Sequence, residues 1–304
     1  MNQVDPLVSV CIPTYNRAKA LSRAVDALLA CSYKNLEIIV SDNASPDETE
    51  IVGNAYSAAD SRVRYFRHAR NMGPTANFQF AREQAGGKYF LWHGDDDFLG
   101  ADYIRTCVNE LEQDPSLLLA SGVAEYFDGD GAFTHYGNII QPASYLPLLR
   151  VLKYLWLVDD NSIFCGAYRR EQLSDCRMPN KLAGDWGWMA QVLTRGKARV
   201  IPAIHVHRKH GDTLSASYER IVAVIGAPRW HARFASIACA MNVANHLIGQ
   251  SQEYRRKTLP GRMFDYAVVF LVLLAKGLKH NLRILATKIP FARKIYRKYF
   301  KKQA

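Results

Sequence analysis

The stretch YFLWHGDDDFLG, residues 89–100, places three carboxylates, Asp95, Asp96 and Asp97, directly after an apolar run. Adjacent like charges repel, so the triplet calls for positive charge nearby. Consecutive carboxylates at a strand end suit a hard divalent cation, Mg2+ or Mn2+, which takes oxygen ligands and keeps part of its shell for water and ligand phosphates. Taken alone, such a triplet reads more readily as a solvated turn or a helix cap. Its meaning depends on the elements around it.

Those elements alternate between two periods. LVSVCIP (7–13) is a short β-branched run, and RAKALSRAVDALLAC (17–31) sets Leu21, Val25, Leu28 and Leu29 on one helical face. LEIIVSD (36–42) reads as a second strand and SPDETEIVGNAYS (45–57) as a helix capped by Ser45 with Pro46 in its first turn. RVRYFR (62–67) predicts a third strand, PTANFQFAREQAGG (74–87) a helix, and KYFLWHG (88–94) a fourth strand. Strands and helices in this order imply a parallel sheet with right-handed crossovers. Ligands bind such sheets beyond the carboxyl ends of the strands. PTYNR (13–17), SDNAS (41–45), RNMGP (70–74) and GDDD (94–97) follow the four strands and so share one edge. That convergence turns the triplet from a turn into part of a site for a large polar ligand. Asp42 in this set could cap the following helix or accept a hydrogen bond from a nucleobase.

Beyond residue 100 the pattern is less regular. DYIRTCVNELEQDP (102–115) predicts a helix, LLLASGVAEYFD (117–128) a strand, LLRVLKYLWLV (148–158) a helix, and SIFCGAYRREQL (162–173) strand then helix. GDWGWMAQVLTRG (184–196) opens a helix, and ARVIPAIHVHRKHGDTLS (198–215) reads as a strand followed by a basic, histidine-rich loop.

The charge is unevenly spread. Of the formal +11, residues 276–304 supply ten Lys or Arg and no acid, leaving 29 basic and 28 acidic groups in the other 275 residues. The longest uncharged apolar run of the last fifty residues, Tyr266–Ala275, is ten residues long, against about 20 for a spanning helix. An amphipathic segment lying in the interface of an anionic membrane fits better; a core helix with a solvated basic tail is the alternative. Nucleic-acid binding is not expected, because the body has no supporting basic face or motif. The six cysteines show no CxxC or zinc spacing and read as reduced structural thiols of the cytoplasm. The N-terminus lacks a basic n-region and a long apolar h-region, so no signal peptide is expected.

The motifs VSVCIPTYNRAKALSRAVDAL, LEIIVSDNASPDET, NMGPTANFQFAREQAGGKYFLWHGDDDFL, GDWGWM and HRKHGDTLS together resemble the family 2 inverting glycosyltransferases of the nucleotide-sugar-binding GT-A fold, over about residues 7–215. Within that family the pattern is most similar to bacterial enzymes of O-antigen or capsule synthesis, of the abequosyltransferase-like kind. The resemblance implies a Rossmann-like, mainly parallel sheet flanked by helices, spanning 1–225 (nucleotide half 1–100, acceptor half 101–225), with a helical, basic, membrane-associating region at 226–304. It implies that Pro13, Thr14, Tyr15 and Asn16 line base and ribose, that Asp42 reads the base, that Arg70 and Asn71 lie near base or diphosphate, and that Asn77 faces the sugar. Asp95 and Asp97 frame a formal DxD, while the alignment of GDDDFL favours Asp96 and Asp97 as the working pair on Mn2+ or Mg2+, with Gly94 where the family carries an acid. Asp185 falls at the position of the general base, with helix capping as its other role. Trp186 and Trp188 could stack on acceptor sugars or pack in the core. Arg208 and His210 would contact metal or diphosphate, with Ser215 nearby.

The expected activity is metal-dependent transfer of a sugar from a nucleotide donor to a polyprenyl-diphosphate- or other lipid-linked glycan at the cytoplasmic face of the plasma membrane. A nucleotidyltransferase is the rival enzyme, although CIPTYNR is not a glycine-rich phosphate loop. A non-catalytic, membrane-attached nucleotide-sugar-binding protein is the other.

Overall fold

The structure, a computed structural model, describes residues 5–209 and 218–288. Strand β1 (Val8–Thr14) is buried along its whole length, as the middle strand of a sheet covered on both faces must be. Helix α1 (Ala18–Ala30) packs Leu21, Val25 and Leu28 inward, as their spacing predicts. Strand β2 (Leu36–Asp42) follows at the expected bounds.

Helix α2 (Thr49–Ala59) starts later than Ser45. The Ser45 amide and hydroxyl both turn back to Asp42, and Asp47 receives the Thr49 amide at 3.1 Å. Strand β3 (Val63–Arg67), helix α3 (Pro74–Glu83) and strand β4 (Tyr89–Trp92) complete the first half. Gly73 at φ 84° makes the left-handed turn into α3, with Pro74 in the first turn.

The second half contains strand β5 (Phe98–Leu99), helix α4 (Tyr103–Gln113), strands β6 (Leu117–Phe127) and β7 (Phe133–Tyr136), and helix α5 (Pro147–Leu157). Strand β8 (Ala167–Arg169), helix α6 (Gly184–Arg195) and strand β9 (Lys197–Lys209) follow. The segments expected as strand and helix over 162–173 are two 3-10 turns on either side of β8. His207 and Arg208, expected in a loop, belong to β9, because β6 continues alongside it as far as Phe127↔Lys209. Helices α7 (Tyr218–Val224), α8 (Trp230–Arg233), α9 (Ala235–Gln250), α10 (Gln252–Arg255) and α11 (Leu259–Lys288) close the described chain.

The sheet order is β3-β2-β1-β4-β8-β6-β9-β5, with β7 pairing β6. β1, β2, β3 and β4 are mutually parallel. β8 runs against both β4 and β6, and β9 runs with β6. β9 therefore points the same way as β1–β4, and its carboxyl end arrives at the same edge as theirs.

Alternate residues feed two cores. Val8, Val10, Ile12, Tyr89 and Leu91 face α1 and α4, while Cys11, Phe90 and Trp92 face the other side with α5, α6, α9 and α11. Ala240, Val243, Val269 and Leu273 lie in that second core, so the helices after residue 225 share a core with the sheet. All six cysteines are buried and unpaired. Among the described residues no helix is long and apolar enough to cross a membrane.

Candidate active site

The parallel register sets Thr14 at the end of β1 beside Asp42 at the end of β2. Thr14 Oγ1 donates to Asp95 Oδ2 at 2.7 Å, tying the loop after β4 to β1. The chain leaves β1 through Asn16, in the left-handed region at φ 58°, and reaches Arg17. Arg17 Nη1 lies 2.5 Å from Asp96 Oδ2 and 3.5 Å from Asp95 Oδ1. β5 then pairs with β9 through Phe98↔His207, which brings Arg208 against Asp97, Nε to Oδ1 at 3.1 Å. Two guanidiniums thus supply the positive charge that the triplet requires.

Burial and crowding raise two of the acids. Asp95 is pushed up to about 6 by burial, with Asp96 and Asp97 adding to the rise and Thr14 and Arg17 opposing it. Burial raises Asp97 likewise, against the pull of Arg208. His93, buried just before the triplet, is lowered to about 4 by burial, and its Nδ1 has no hydrogen-bond partner.

Gly94 has a steric role here. A Cβ at that position would stand 2.9 Å from Asp97 Oδ2 and 3.2 Å from Asp96 Oδ1. Oxygens of these two acids therefore converge in the space that a side chain at 94 would fill. Two carboxylate oxygens, with water and phosphate oxygens completing the shell, form a donor set that suits Mg2+ or Mn2+. Among the described residues no group of three or more His, Cys, Asp or Glu could hold a metal ion. His210 and Ser215 lie outside the described residues.

Asp185 stands in the first turn of α6. Asn161 Nδ2 donates to its Oδ2 at 2.7 Å. Burial raises its pKa; Asn161, the amides of residues 185 and 186 and the charge of Arg208 work in the other direction. Arg208 thus acts electrostatically on both Asp97 and Asp185, coupling the acidic triplet to the start of α6.

Burial separates the expected site residues. Trp188 is fully buried, edge-on to Trp92 at 5.1 Å and under the Arg82 guanidinium at 5.0 Å, the core position that is its other reading. Trp186 is half-buried and carries Lys276 over its ring at 5.5 Å. Asp42 is fully buried, and its oxygens accept from Ser45 and from Tyr65 Oη at 2.7 Å, which holds the turn after β2. Asn77, also buried, joins strand ends through the Ser41 hydroxyl at 2.6 Å and the Ser41 carbonyl at 2.9 Å. Pro13 and Thr14 are buried, whereas Tyr15, Asn16, Arg70 and Asn71 are exposed at the strand ends. Asn71 Oδ1 accepts from Asn43 at 2.9 Å.

Sequence reasoning did not single out Arg17 or Asn161 as site residues. Arg17 carries a signal, since PTYNR and GDDD share one edge and a cation belongs among the acids. Asn161 carries none, because its partner lies 24 residues away on another element.

The comparisons follow this geometry. Residues 9–177 match the model of glycosyl transferase family 2. The chain belongs to glycosyl transferase family 2. An uncharacterized glycosyltransferase of Rickettsia felis is 35% identical over 149 residues, 49% of this chain and 24% of that protein. The GalNAc(5)-diNAcBac-PP-undecaprenol beta-1,3-glucosyltransferase of Campylobacter jejuni is 33% identical over 109 residues, 36% of this chain and 35% of that protein. The chain thus spans about a quarter and a third of these relatives' lengths. The mannosyltransferase PcManGT of Pyrobaculum calidifontis, solved with GDP-Man and Mn2+, shares the fold with a TM-score of 0.55 at 16% identity, over 91% of this chain and 87% of that one.

Proposed function

We propose that the protein is a divalent-cation-dependent inverting glycosyltransferase that moves a sugar from a nucleotide donor to a lipid-linked glycan in the synthesis of a cell-surface polysaccharide. The observation that carries the reading is the acidic triplet held at the carboxyl edge of the sheet between two guanidiniums, Arg17 at 2.5 Å from Asp96 and Arg208 at 3.1 Å from Asp97. In this reading Asp185, at the start of α6, is the base of the same site.

In this reading Tyr15, Asn16, Arg70 and Asn71 offer the exposed surface for the nucleotide at the strand ends. Asp96 and Asp97 would hold the cation, which when bound would neutralise charge on the donor diphosphate. Arg17 and Arg208 add fixed positive charge beside it. Asp185 takes the proton from the acceptor hydroxyl as that oxygen bonds to the anomeric carbon. The bond from that carbon to the diphosphate breaks on the opposite face, and its electron pair leaves with the diphosphate. Attack opposite the leaving group inverts the anomeric configuration.

The lipid-linked acceptor is supported by the Campylobacter relative, whose name carries an undecaprenol diphosphate acceptor, and by the surface of α11. Leu259, Met263, Phe264, Leu271 and Leu278 are exposed on that helix, and ten basic residues with no acid lie from 276 to 304. This combination suits the cytoplasmic face of an anionic membrane, bound peripherally.

A thermal-shift screen of UDP-, GDP- and dTDP-sugars, with and without Mn2+ or Mg2+, tests the proposal. A donor that raises Tm only with the cation supports it, because ligands that bind the native state stabilise by mass action. Equal shifts with and without cation would reject the cation dependence.

A further inference from the structure

Among the described residues the non-glycine positions with positive φ are Asn16, Ala44, Asn161 and Ala183. Asn16 and Ala44 lie in the loops after β1 and β2, and Ala183 immediately precedes α6, two residues before Asp185. Left-handed backbone costs alanine more than asparagine, and such positions concentrate at functional sites. Asn161 is the fourth, at φ 51° and ψ 28°, and its side chain is the partner of Asp185. Two of the four positions therefore lie beside Asp185, Ala183 in sequence and Asn161 through its side chain.

The hydrogen bonds at Asn161 are polarised. Tyr154, fully buried on α5, donates its hydroxyl to Asn161 Oδ1 at 2.7 Å. Burial pushes the Tyr154 phenol well above its ordinary range, so it remains a donor. With Oδ1 committed to that hydroxyl, Asn161 can turn only its NH2 toward Asp185, and Nδ2 reaches Oδ2 at 2.7 Å. The reversed amide would set Oδ1 against the Asp185 carboxylate oxygen, with no proton between them. The chain Tyr154–Asn161–Asp185 therefore has one low-energy arrangement, and it fixes the plane of the carboxylate.

We propose that Asn161, aligned by Tyr154, is the positioning residue that orients the Asp185 carboxylate to receive the acceptor's proton. The proposal rests on the reading of Asp185 as base. A donor hydrogen bond to a carboxylate also favours its ionised form, so removing it moves the Asp185 titration upward. Other titratable groups facing Asp185 are Arg208 from β9, Tyr168 from β8, Cys239 from α9 and Tyr154 itself. Asn161→Gly leaves all four in place, and Tyr154→Phe removes only the Tyr154 hydroxyl among them.

The test is a pH titration of 13C-labelled aspartate carboxyls by NMR on the full chain without donor or acceptor, with the Asp185 signal assigned by its loss in Asp185→Asn. Asn161→Gly keeps the left-handed backbone and deletes the amide; it moves the Asp185 midpoint up by about 1–2 pH units. Tyr154→Phe keeps the ring and frees the amide, giving an upward shift of less than about one unit. Unchanged midpoints in both variants overturn the proposal. If Asn161→Gly does not fold, Tyr154→Phe decides alone, an upward shift supporting the relay and an unchanged midpoint rejecting it. Because no substrate enters the titration, its outcome is separate from the base reading, which fails only if Asp185→Asn still transfers sugar.

Discussion

Arg208 Nε donates to Asp97 Oδ1 at 3.1 Å across 111 residues of sequence. Both side chains are largely buried, and the pairing exists because β5, directly after the acidic triplet, is clamped antiparallel onto β9. Burial opposes the charge on Arg208, but Cys165, Asp97 and Tyr126 beside it more than restore it. Removing one partner of a buried ion pair strands the other. Arg208→Met should therefore cost about 3–5 kcal/mol of stability, measured by urea unfolding. A loss under about 1 kcal/mol would place the pair among weakly contributing surface bridges.

Gly94 keeps open the space on which Asp96 and Asp97 converge. In Gly94→Ala the new methyl meets the ends of two carboxylate side chains, 2.9 and 3.2 Å away. Displacing them turns them away from a shared cation and strains the buried Asp97–Arg208 pair. The variant should bind Mn2+ about tenfold more weakly by calorimetry, about 1.4 kcal/mol, with a lowered Tm. Equal affinity would mean that the cation does not sit between these acids.

The raised pKa of Asp185 has two consequences. As a base it acts only when ionised, so kcat should fall on the acid side with a midpoint above the ordinary aspartate range. A folded-state pKa above the unfolded value means that stability is fully present below the unfolded value and lost as pH rises through the folded one. Asp185→Asn removes that loss. At neutral pH the variant should be at least as stable as the parent while losing activity, a pairing that thermal denaturation and a transfer assay read together. A clear drop in Tm would make Asp185 a structural cap.

The two tryptophans of GDWGWM should behave differently. Trp188→Ala empties a core position and should cost about 3–5 kcal/mol, seen as a large fall in the denaturation midpoint. Trp186→Ala removes a half-buried ring beneath Lys276 and should cost much less. Similar losses in both would contradict their different burial.

Much of the first half was legible in the sequence. Short apolar runs, with alternation in the third, marked β1 to β4 within a residue or two, and sheet topology then dictated that their polar ends meet. The misses have physical causes. β5 has two residues, too few for any period. β9 runs through His207 and Arg208 because β6 pairs with it that far, which polar side chains alone do not announce. Asp42 and Asn77 sit where a ligand-facing residue would, yet their hydrogen bonds go to Ser45, Tyr65 and Ser41. A one-dimensional pattern gives a residue's place along an element and leaves its partner unstated; for Asn161 the partner is the whole of its role.

The account rests most directly on Asp185, and one paired measurement addresses it. With a donor found in the nucleotide-sugar screen and a polyprenyl-diphosphate-linked acceptor, sugar transfer and donor affinity are measured for the parent and for Asp185→Asn. The account predicts that transfer falls by about two orders of magnitude or more while the donor Kd in the presence of Mn2+ stays within about twofold. Undiminished transfer by Asp185→Asn would contradict it.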